Sequence, residues 1–132
     1  MTRFMIEREF AADPVSAALL LTGTPALEMW PGLEITGRSG PAVLAEVRHA
    51  GEQTPVEVVV LPPRRTTAAF ITEFRIRGGL FADTRGSLSL GYAAGGTRAT
   101  LWLDTPAAEM AVPGRRFLAR LARTAEGRST AA

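Results

Sequence analysis

The chain has 132 residues, 46% of them hydrophobic, and a formal net charge of +2, which bounds it to one domain with one core. It contains no Cys, no Lys and no Asn, and a single His. Disulfides, thiolate zinc sites, cysteine nucleophiles, Schiff-base chemistry, a phosphate-loop Gly-Lys-Ser/Thr and a two-histidine metal site within the chain are thereby excluded.

Other absences narrow the field further. Gly37-Arg38-Ser39-Gly40 has the wrong spacing for a Gly-x-Ser-x-Gly nucleophile elbow. The sequence implies no cofactor and no metal. The pI near 10.3 follows from having no Lys or Cys and one Tyr: almost nothing titrates between about pH 8 and the Arg range near 12.5, so a small positive charge persists. It is not a nucleic-acid signature, and no nucleic-acid partner is expected. The longest apolar run, residues 17–21, falls far short of the roughly 18 needed to span a bilayer. With no secretory signal pattern at the N-terminus, a cytoplasmic protein without stable membrane insertion is expected.

Residues 3–10 read as a strand, with Phe4, Ile6, Arg8 and Phe10 on one face and Met5, Glu7 and Glu9 on the other. Asp13 is suited to cap a helix whose first position is Pro14, over residues 15–22, with Gly23 as its stop. Thr24-Pro25 starts a second short helix that ends at Trp30-Pro31-Gly32.

The period then changes to two. Strands are expected over residues 33–38, 42–50, 54–61, 66–77, 80–93 and 97–104, separated by Ser39-Gly40-Pro41, Pro62-Pro63, Gly78-Gly79 and Gly95-Gly96. Val56, Val58 and Val60 share one face, as do Phe70, Thr72, Phe74 and Ile76, and Leu88, Leu90 and Tyr92. Turns this frequent describe an antiparallel meander.

After Pro106 the helical period returns. Met110, Gly114, Phe117, Leu118, Leu121 and Ala125 form one stripe of a helix over residues 113–126, which Pro113 starts or kinks. Residues 1–112 carry 10 Arg and 12 acids, while residues 113–132 carry five Arg and one Glu. The basic bias is read as a solvated helix face with cations at its C-terminal end. Residues 127–132 are expected as a disordered tail to a single domain over residues 1–126.

This order resembles the START/birch-pollen-allergen superfamily (SRPBCC, polyketide cyclase-like). The resemblance rests on Phe10-Ala11-Ala12-Asp13-Pro14-Val15, Trp30-Pro31-Gly32, Leu61-Pro62-Pro63-Arg64, and Gly86-Ser87-Leu88-Ser89-Leu90 followed by Gly95-Gly96-Thr97. It implies an α+β helix-grip: a curved seven-stranded antiparallel sheet wrapped around a C-terminal helix, two short helices after the first strand, and an apolar cavity between sheet and helix.

The implied cavity lining is Phe70, Thr72, Phe74, Leu88, Leu90, Tyr92, Leu101, Phe117 and Leu121, with Arg8 as a planar fork for a ligand anion or as a partner of Glu46 or another acid. The implied function is binding of a small hydrophobic, lipid- or polyketide-like molecule. Two other functions stay open. One is a cyclase, aromatase or dehydratase using the same cavity, with His49 or Tyr92 moving a proton. The other is a protein-interaction module using the basic helix. Trp102, expected to point outward, marks a surface for a homodimer or another partner.

Overall fold

The computed structural model describes residues 2–20, 24–78 and 83–131. Its elements in chain order are β1 (Thr2–Phe10), α1 (Pro14–Leu20), a 3₁₀ helix (Thr24–Met29), β2 (Leu33–Ser39), β3 (Ala42–His49), β4 (Glu52–Val60), β5 (Arg64–Arg65), β6 (Ala69–Arg77), β7 (Thr84–Ala93), β8 (Gly96–Thr105), a 3₁₀ turn (Ala108–Met110) and α2 (Ala111–Ala131). The expected helix end at Leu21, Thr22 and Gly23, the second glycine of the Gly78-Gly79 turn, and the expected strand start at Leu80, Phe81 and Ala82 lie outside the described residues, as does Ala132.

The strands form one antiparallel sheet in the order β1-β8-β7-β6-β4-β3-β2, with the two-residue β5 paired to β6. β1 joins β8, so the first strand closes against the last. The period-two faces of the sequence survive in the ladder. Phe4, Ile6 and Arg8 stand opposite Leu103, Leu101 and Ala99, and Leu88 lies between Thr72 and Leu101. These residues form the concave face, which α2 crosses.

Local chemistry accounts for the boundaries. Asp13 caps α1: Ser16 N–H donates to Oδ1 at 2.9 Å and the Ser16 hydroxyl donates to Oδ2 at 2.7 Å. The strand expected over residues 66–77 is broken because the Thr66 hydroxyl accepts from the Ala68 and Ala69 N–H groups. A tight turn results, with β5 before it and β6 after it. Pro113 does not interrupt the last helix. It is the third residue of α2, in the first turn, where its missing N–H removes no intrahelical bond. α2 has 21 residues and its backbone remains helical to Ala131, through the stretch expected as a tail.

α2 lies nearest β1 and α1. Gly114 permits the approach to the sheet: a Cβ there would sit 2.9 Å from Ile6 Cδ1 and 3.3 Å from Leu101 Cδ2. Leu118, Leu121, Ala122 and Ala125 of α2 join Ala17 and Leu20 of α1 and Leu90, Ala99, Leu101 and Leu103 of the sheet in one buried cluster. The link into α2 is fixed by Thr105, whose hydroxyl lies 2.8 Å from that of Thr84 and accepts from Ala107 N–H at 3.1 Å. Among the described residues no helix is long and apolar enough to cross a membrane.

Candidate functional site

Because α2 leans on β1 and β8, the concave face of β2, β3, β4 and β6 is left partly uncovered. The inward side chains of its two middle strands are short: Val43, Ala45 and Val47 on β3, and Val56, Val58 and Val60 on β4. They do not extend to the helix, and a cavity of about 430 Å³ remains. That lies within the roughly 300–1,000 Å³ of small-molecule sites.

Its inner wall is made by Val47, Val56, Val58, Leu88, Leu101, Met110 and Phe117, all buried. Met110 is seated against the Thr105 hydroxyl, 3.3 Å from its sulfur. Leu27, Trp30 and Leu33 close another side. The Trp30 and Phe117 rings are 5.8 Å apart and tilted at 41°, so the indole is braced by α2. The exposed members of the lining, Arg38, Pro41, Val60, Pro62 and Pro63, mark the mouth.

Among the described lining residues two side chains are polar, Thr72 and Arg38, and none is acidic. Thr72 is half-buried on β6. Arg38 reaches the concave face through a β-bulge between Ile35 and Gly37. Ile35 is opposite Ala45, Gly37 is opposite Leu44, and Arg38 is therefore opposite the inward-facing Val43. In an unbroken ladder that paired every residue, Arg38 would fall with Glu34 and Thr36 on the convex side of the strand.

The expected lining divides. Thr72, Phe74, Leu88, Leu101 and Phe117 meet around the cavity. Leu90 and Leu121 do not; both are fully buried in the core cluster, where α1 packs against β6, β7 and β8 and fills that end of the grip. Phe70, also outside the lining, packs against that cluster with the Arg65 guanidinium 5.4 Å from its ring centre. Tyr92 is 64% exposed, because it lies one residue beyond Gly91, the last β7 position paired with β6. Arg8 has the expected inward register but is exposed on edge strand β1, on the side occupied by α2. It forms no pair with Glu46, which belongs to a strand far along the sheet.

His49 ends β3, with Nε2 3.7 Å from Glu109 Oε1, so it ties the strand to the approach to α2 instead of lining the cavity. Trp102 points outward as expected, 44% exposed and opposite Met5 on the convex face. No group of three or more His, Asp or Glu side chains that could hold a metal occurs among the described residues.

The residues missed in the sequence are instructive. The valines of β3 and β4 alternate legibly, but alternation alone does not distinguish short side chains that leave space from ones that fill a core. Arg38 was hidden by the bulge, for which Gly37 inside a strand was the available sign.

No protein-family model matches the sequence, and no curated protein is significantly similar to it. Solved structures do match. Crystal structures of TTHA0849 from Thermus thermophilus (TM-score 0.74, 16% identity, 97% of this chain and 99% of that one) and of Ara h 8.0201 (0.64, 12%, 96% and 98%) superpose over nearly the whole chain. So does the structure of a START superfamily protein from Mycobacterium smegmatis (0.60, 18%, 96% and 94%). The chain has the helix-grip fold of the START/birch-pollen-allergen-like (SRPBCC) superfamily.

Proposed function

We propose that this protein binds a small, predominantly apolar molecule in the cavity between β2–β6 and α2. The observation that carries this reading is a half-open cavity of about 430 Å³ whose described lining has only two polar side chains. Protein interiors are otherwise close-packed, so an unfilled apolar volume of this size calls for an occupant. Burial of ligand surface at about 25 cal/mol per Å² drives association, and the Thr72 hydroxyl supplies a point of orientation. The helix-grip fold of its structural neighbours supports the same reading.

A cyclase or dehydratase draws less support. The two acid–base candidates, His49 and Tyr92, both lie away from the described lining.

The neutral fluorophore N-phenyl-1-naphthylamine tests the proposal. It is expected to bind the wild-type protein with enhanced emission and to quench Trp30. Val60→Phe, at the exposed mouth, and Val58→Phe, deeper in the cavity, are expected to remove most of that binding. Equal binding by folded forms of both variants would place the site elsewhere.

A further inference from the structure

We infer that the cavity is built for a monocarboxylic acid with an apolar body, the carboxylate resting on Arg38 at the mouth. This inference rests on the proposed binding function and names its ligand class.

Four observations converge on Arg38. The bulge between Ile35 and Gly37 turns this side chain onto the apolar concave face, which regular pairing would not do. Arg38 is the one charged residue in the described lining. Its guanidinium makes no ion pair or hydrogen bond with a described residue, so no carboxylate among them competes with a ligand for it. Finally, it stands at the exposed rim beside Pro41, so it can keep its hydration while the cavity is empty and exchange part of it for an anion.

The geometry of the ligand follows. The valine-lined interior accepts only an apolar body, so the ionised group must remain at the rim. A guanidinium offers a planar fork that a carboxylate matches with two parallel N–H···O bonds. A phosphate monoester carries close to two negative charges at neutral pH, and no second cation is present in the described lining to balance the other. A single charge is therefore the better match.

The test uses three ten-carbon ligands, decanoate, decan-1-ol and decyl phosphate, each displacing N-phenyl-1-naphthylamine from wild type, Arg38→Gln and Arg38→Lys at two salt concentrations. Wild type is expected to prefer decanoate to decanol. Arg38→Gln should weaken decanoate by roughly tenfold, the scale of one charge-assisted pair at a solvated rim, while leaving decanol unchanged. Arg38→Lys should recover part of the loss, and the wild-type preference should shrink as salt rises.

Decanoate affinity that is the same in wild type and Arg38→Gln, with decanol still bound, would overturn the role of Arg38 while leaving the binding function intact. Tighter binding of decyl phosphate than of decanoate by wild type would overturn the single-charge assignment. Failure of all three ligands and of the fluorophore would remove the binding function itself, and this inference with it.

Discussion

The concave face has two halves built by opposite rules. On β1, β8 and β7 most inward residues are long, Phe4, Ile6, Leu101, Leu103, Leu88 and Leu90, and α2 approaches them closely through Gly114. On β3 and β4 they are mostly valines, and the helix does not come near enough to cover them. Leu101 and Leu88 stand where the halves meet and also line the cavity. The contrast assigns separate tasks to one continuous sheet. Packing of the first half holds the molecule together, and side-chain brevity in the second leaves space that packing would otherwise take.

The sharpest way to break this division is truncation of the packed half. Leu121 is fully buried, so Leu121→Ala is expected to cost about 2–5 kcal/mol in urea unfolding, with N-phenyl-1-naphthylamine affinity retained in the folded fraction. Enlargement comes next and should act in opposite senses. Ala99→Leu, in the filled half, is expected to destabilise by about 1–3 kcal/mol through overpacking. Val58→Leu, in the open half, should change stability by less than about 1 kcal/mol while weakening the fluorophore. Equal destabilisation by the two enlargements would mean that the halves are packed alike.

The smallest effect concerns the α1 cap at the closed end. Hydrogen bonds from the Ser16 hydroxyl and Ser16 N–H hold the Asp13 carboxyl below its ordinary value. A depressed carboxylate contributes stability that is present above its unfolded pKa and lost as pH falls through the folded one. The wild type should therefore lose slightly more stability than Asp13→Asn below about pH 4, measured by thermal unfolding across that range.

Much of this architecture was legible because its signals are local. Asp13-Pro14 begins a helix, Gly95-Gly96 turns the chain between β7 and β8, and alternation marks the faces of β6, β7 and β8. Thr72, Phe74, Leu88, Leu101 and Phe117 reached the cavity lining for that reason. The remainder depends on what lies opposite. Leu90 and Leu121 have the same local pattern as Leu88 and Phe117, yet α1 buries the first pair. Tyr92 continues the same alternation past the end of its neighbouring strand and is left in solvent. Whether Pro113 starts or kinks the helix is not legible locally, because its position within the first turn depends on the 3₁₀ turn that precedes it. Arg38 failed for a different reason: alternation assumes an unbroken ladder.

That broken ladder has a consequence for how the mouth can vary. Side-chain direction along β2 after Ile35 is decided by whether Thr36 is left out of the ladder or paired within it. Removing Thr36 would restore regular pairing with Arg38 still opposite Val43, whereas taking Thr36 into a regular ladder would shift Arg38 opposite Ala42 and turn it away from the cavity. The rim of this container is thus set by whether one residue of β2 is bulged out or paired, a property that substitution-by-substitution comparison of related sequences does not register.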